Sequence, residues 1–242
     1  MSTVSPRPAQ PDLRDALLET AVAILAKDGP GGLSTRRLAR ELSVSTMAVY
    51  TYFGGMDDLV RALVHEGFAR LNDRMSRVAQ SNDPVADVAA LGRVYRANAA
   101  SHPYLYSVMF GGSKLAGFSL TDDDRRHGLY TLEILVGAVR RCMDEGRFQE
   151  ADAQLVAHQF WTALHGLVTL ELGGYLFDPY NADICFDAQV GALIVGSGDS
   201  LEAAARSLRH SVKAADVAAA AAASESESES ATDSGPADPV QN

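Results

Sequence analysis

The 242-residue chain has two cysteines, Cys142 and Cys185, and one tryptophan. Two thiols cannot build a disulfide framework, and both read as ordinary core or surface thiols of a reducing compartment. No apolar run approaches the roughly eighteen residues that would cross a bilayer, and no basic-then-apolar signal pattern opens the chain. A cytoplasmic protein without a membrane span is expected. Strand-like alternation of period two is absent as well, so the fold is expected to be all-α. Catalytic motifs are missing: Gly111–Lys114 lacks the spacing of a phosphate-binding loop, and Gly196, Ser197 and Gly198 do not form a nucleophile elbow. No enzyme activity, cofactor or metal is assigned. The formal net charge of −10 has the wrong sign for a chain that binds nucleic acid over its whole surface. Six of the acids lie in residues 214–242, which have no Lys or Arg, and the rest of the chain carries −4.

Residues 34–53, STRRLARELSVSTMAVYTYF, carry the most information. Ser34 is an N-cap, and Leu38, Ala39 and Leu42 put one apolar stripe on a short helix. A turn through Ser43 and Val44 leads to Ser45, a second N-cap candidate, after which Val49 and Phe53 sit four apart and face one core. The other residues of the second helix are small, hydroxylated or aromatic, as close approach to base edges and phosphates requires. Arg36, Arg37 and Arg40 supply guanidinium groups on the first helix, and Glu41 is the one acid between Leu33 and Phe53. Residues 1–70 as a whole hold eight basic and eight acidic side chains, so this excess of positive charge is local.

The stretch from Leu13 to Val64 resembles the DNA-binding domain of the TetR family of bacterial transcriptional regulators. A first helix with Leu17, Ala21, Ile24 and Leu25 ends at Asp28 and Gly29, the segment GGLSTRRLARELSVSTMAVYTYF follows, and a fourth helix begins near Met56. The resemblance implies a three-helix core with Arg36, Thr46, Met47, Ala48, Tyr50 and Tyr52 at the DNA. Two residues depart from the family pattern. Ser43 stands where Gly is usual in the turn, and Met56 stands where a phosphate-binding Lys is frequent.

The domains expected are a flexible arm over 1–11, the helix-turn-helix domain over 12–58, a helical ligand-binding and dimerisation domain over 59–213, and a disordered acidic tail over 214–242. Leu59, Leu63, Leu71 and Met75 predict a long fourth helix. Asp83 and Pro84 open a fifth, which His102 and Pro103 close. Thr121 and Asp122–Asp124 start a further helix that reaches Arg140 and Arg141, and residues 151–176 make the longest apolar one. A last helical region runs over 183–212, with a candidate break at Gly196–Gly198. WTALHG, Trp161–Gly166, resembles a Trp/His/Gly signature of one TetR subgroup, in which the C-terminal helices bind a small molecule and the last two long helices pair with a second copy. Tyr95, Tyr104, Met109, Phe110, Tyr130, Trp161 and His165 are the candidate pocket residues. The resemblance thus implies a homodimer that binds double-stranded operator DNA, most simply as a ligand-released repressor. The alternative is a helical partner-binding protein with a degenerate DNA-binding domain.

Overall fold

The computed structural model describes residues 13–112 and 115–232, with the side chains of 116 and 222–232 left out. The expected flexible arm, residues 1–11, lies outside the described residues. Among those described, all regular structure is helical. The chain divides into two compact units. One comprises the described residues up to Ala69 together with Ser101–Leu129, and the other Arg70–Ala100 together with the chain from Tyr130 onward.

In the first unit, α1 (Leu13–Asp28), α2 (Thr35–Glu41) and α3 (Thr46–Phe53) form the helix-turn-helix core, and α4 (Met56–Ser76) starts here and ends in the second unit. Leu17, Leu25, Leu38, Val49, Leu59, Val60, Leu63 and Val64 are all fully buried. Each lies on the apolar stripe of its helix, so burying that stripe supplies the driving force for packing these helices together. Two shorter helices complete the unit, α6 (Pro103–Met109) and α7 (Asp122–His127).

The expected single helix from Thr121 to Arg141 is broken. Thr121 does cap its start, in a reciprocal capping box with Asp124, but α7 ends at His127 and α8 (Tyr130–Asp144) is a separate helix. Gly128 marks the break, where a Cβ would lie 2.4 Å from the Phe68 ring of α4. This close approach is invisible to local periodicity.

The second unit is built around α5 (Pro84–Ser101), which is buried along most of its length. α8, α9 (Ala153–Leu172), α10 (Ala182–Gly196) and α11 (Leu201–Thr232) complete it. α9 is capped by Asp152, whose carboxylate accepts from the Gln154 and Leu155 N–H groups, and α10 is capped likewise by Asn181. The break between α10 and α11 falls at Ser197–Ser200, with Gly198 at φ +121°. α11 continues to Thr232, and residues 233–242 of the expected acidic tail lie outside the described residues. Alanine has the highest helix propensity, so a run rich in it extends a helix that tertiary packing has already nucleated. Ser211 and Ala218 are buried on that helix.

Candidate nucleic-acid interface

The turn of the helix-turn-helix is held by backbone geometry. Ser43 has φ +53°, the one positive φ outside glycine among the described residues. Its N–H donates to the Arg40 carbonyl (3.2 Å) and the Val44 N–H donates to the Ala39 carbonyl (2.9 Å), the paired bonds of a left-handed helix stop. The serine therefore occupies a site that suits glycine, and strain of about 1 kcal/mol attends it. Ser34 caps α2 as expected, with its hydroxyl accepting from the Arg37 N–H. Ser45 sits at the N-cap of α3 in extended conformation, but its side chain makes no capping bond. Gly54, left-handed at φ +73°, closes α3 and lets α4 begin two residues later.

The core seam of α3 is Val49 and Phe53. Helical geometry places Met47, Ala48 and Thr51 across the axis from that seam, with Tyr50 and Tyr52 on the two shoulders. Burial agrees with this: Met47 is 66% exposed, Tyr50 48% and Tyr52 41%. Thr46 is exposed at the first position of the helix, and Ala48 is half-buried. A thioether and two phenols facing water on one eight-residue helix are costly to hydrate and suit a surface that becomes covered. Thr51 was not among the residues chosen from sequence, although its exposed hydroxyl, donating to the Met47 carbonyl, lies in the middle of this face. Its helical phase alone would have found it.

The three arginines of α2 separate into two kinds. Arg37 is tied down: it donates to the Asp28 carboxylate at the end of α1 and pairs with Glu41 at 3.5 Å. The bonded Asp28 carboxylate holds its guanidinium above the ordinary arginine range. It fastens α2 to α1 and is unavailable to DNA. Arg36 and Arg40 are exposed and have no ion-pair partner among the described residues. At the start of α4, Asp57 and Asp58 are exposed, Asp58 pairing with Arg61. Acids in that first turn stabilise the helix dipole but repel phosphate.

The candidate pocket residues divide between the two units. Tyr104, Met109 and Phe110 belong to the first unit. There the Tyr104 ring lies against Gly29, Met109 packs against Gly67 of α4, and Phe110 meets Phe68 edge-on at 5.6 Å. Tyr95, Tyr130, Trp161 and His165 belong to the second unit. Tyr130 is exposed at the start of α8, whereas the buried Tyr95 hydroxyl lies 3.3 Å from His165 Nδ1, and the Trp161 and His165 rings are 6.2 Å apart. Burial lowers the His165 pKa, which favours the neutral imidazole. Cys142 is buried in α8 with its thiol pushed up to about 12 by burial, so it is a protonated core residue.

Two family models match the chain. The model described as bacterial regulatory proteins, tetR family, covers residues 17–63, and the tetracyclin repressor-like C-terminal domain covers residues 88–193. An uncharacterised HTH-type transcriptional regulator of Mycobacterium tuberculosis is 28% identical over 183 residues, 76% of this chain and 80% of the relative. Among solved structures, a protein of unknown function from Rhodococcus sp. RHA1 matches 81% of this chain and all of its own, at TM-score 0.68 and 29% identity. A TetR family transcriptional regulator from Thermus thermophilus shares the fold at TM-score 0.55 and 19% identity, over 76% of this chain and 99% of its own. With both its reading head and its C-terminal helices matched, the chain belongs to the TetR family and is a DNA-binding transcriptional regulator.

Proposed function

We propose that the protein is a repressor that grips a near-palindromic operator as a homodimer and is released by a small molecule. The reading is carried by the outer surface of α3, where Met47, Tyr50 and Tyr52 stand in solvent beside the unpaired Arg36 and Arg40. Arg36 reads a guanine edge or a phosphate, Thr46 and Tyr50 hydrogen-bond to bases or backbone, Met47 and Ala48 contact thymine methyls, and Tyr52 reaches the backbone.

Pairing of two copies is supported by α9 and the segment after it. Thr162, Gly166 and Thr169 make a stripe of small exposed residues along α9, flanked by the exposed Leu155 and Leu170. Small residues permit close helix approach, and exposed leucines on the same helix gain most from being covered. Tyr175 and Phe177 lie just beyond, 70% and 73% exposed. A two-fold axis through this surface gives a symmetric dimer, and its symmetry dictates that of the operator. WTALHG marks the Trp/His/Gly subgroup, and Tyr95, Trp161 and His165 are its effector contacts. A neutral imidazole beside a phenol suits a largely apolar effector with one or two hydrogen-bonding groups.

The test has two parts. Sedimentation should give a dimer at micromolar concentration. Selection from fragmented genomic DNA should recover a near-palindromic site whose affinity falls steeply with salt. A monomer that retains no fragment would instead mark a partner-binding helical protein.

A further inference from the structure

Within the first unit, the contact between α4 and α7 holds ionisable groups that neither DNA reading nor apolar packing employs. The imidazoles of His65 and His127 are stacked, with centroids 3.9 Å apart and planes inclined by 25°. Beneath them Asp124, 3% exposed, accepts from the Thr121 N–H at 2.9 Å, the Thr121 hydroxyl at 2.8 Å and Arg61 Nε at 3.1 Å. His65 Nε2 is 3.7 Å from Asp124 Oδ1. That nitrogen is shielded from solvent and has no hydrogen-bond partner among the described residues. The charged and titratable groups acting on His65 are Arg61 on its own helix and Asp124 and His127 on α7.

We propose that this contact is a proton-operated latch: α7 docks on α4 while the His65 imidazole is neutral, and leaves when that ring takes up a proton. His65 gains one solvent proton on the ring nitrogen that carries none in the neutral form, and the docked contact then holds a cation shielded from solvent, against the second imidazole and close to the Arg61 guanidinium, where like charges repel. The one buried carboxylate nearby, Asp124, is already engaged by Arg61 and Thr121 and stands 3.7 Å from His65 Nε2, beyond hydrogen-bond reach. α7 is only six residues long, and apart from Asp124 its side chains are exposed. Asp124, the histidine stack and the packing of Gly128 on Phe68 contribute to its attachment. On the opposite side of α4, Leu59, Val60, Leu63 and Val64 form part of the helix-turn-helix core, so releasing α7 loosens the helix on which the reading head is built.

The sign follows from the direction of the shift. Burial first, and His127 second, lower the His65 pKa below the ordinary histidine value while α7 is docked. Protonation therefore favours the undocked state. Docking is fully favoured above the ordinary value near pH ~6.5 and weakens as pH falls through it toward the lowered, docked value. Burial pushes Asp124 up, but the Thr121 bonds and Arg61 outweigh it and hold its pKa below the ordinary carboxylate value, so it stays charged across this window.

The experiment is hydrogen–deuterium exchange on the full-length protein at about pH 8 and about pH 5.5, corrected for intrinsic rates. We expect several-fold loss of protection over residues 121–129 at the lower pH, with α9 and α10 unchanged. His65→Gln should abolish that dependence, and His127→Gln, at an exposed position, should weaken it while leaving the part due to burial. Equal protection at the two pH values, or full pH dependence in His65→Gln, would overturn the proposal. No DNA or effector enters the measurement, so its outcome is separate from that of the operator reading.

Discussion

Two exposed arginines of α2 and four arginines of the second unit meet opposite fates. On α2, Arg36 and Arg40 stand in solvent without a carboxylate. In the second unit Arg93, Arg96, Arg141 and Arg147 are each bonded to acids contributed by other helices or by the connecting segments. Arg96 makes a two-pronged bond to Glu171, at 2.7 Å on both prongs, and a third bond to Asp183 at 2.6 Å. Arg147 joins Asp83, Asp199 and Ser207, and Arg141 joins the buried Asp87. The side chain is the same and the difference lies in its neighbours: cations left unpaired are available to phosphates, and cations matched to buried carboxylates fasten helices together.

The sharpest way to break that comparison is to remove one arginine from each side. Arg147→Ala should cost roughly 3 kcal/mol in urea denaturation, the low end of the buried-pair range because Arg147 is itself partly exposed. It strands Asp199, which is only 5% exposed at its side chain. The same cluster sets an acid limit. Burial pushes Asp83 up, but the Ser207 hydroxyl, the Ala86 N–H and Arg147 outweigh it and hold its pKa below the ordinary carboxylate value. Its contribution is therefore complete above about pH 4 and is lost as pH falls through the lowered value. Acid unfolding of Arg147→Ala should accordingly begin at higher pH than that of the parent, as followed by circular dichroism.

Arg36→Ala should leave the melting temperature unchanged and weaken binding to the selected operator by about 1–3 kcal/mol, as read by fluorescence anisotropy. Loss of stability without loss of affinity would place Arg36 with the fastening arginines. A smaller effect is expected at the turn: Ser43→Gly should raise stability by about 0.5–1 kcal/mol by relieving the left-handed serine. The smallest concerns α11. Truncation after Ala221 should shift unfolding by less than about 0.5 kcal/mol, because the last buried side chain recorded on that helix is Ala218.

Much of the reading head was legible from residue order. The stripes of α2 and α3, the Ser34 cap and the break between α10 and α11 are local signals read within a few residues, and each stands where periodicity and capping chemistry put it. Departures occur where the deciding neighbour is distant in the chain. Arg37 resembles Arg36 until Asp28 is seen beside it. The Ala-rich run from residue 214 offers no apolar stripe of its own and continues a helix whose earlier turns are anchored by the Arg93 bond to Ser211 at 2.8 Å.

By itself, residue order determined the helical class, the two-helix reading motif and the family, because helix periodicity, caps and turn residues act over one or two turns. Tertiary structure alone decided which cations remain for DNA, where the helix after Thr121 breaks, and that two histidines far apart in the chain, His65 and His127, come to lie ring on ring. Burial and ion pairing are properties of neighbours in space, and those neighbours exist only once the chain has packed.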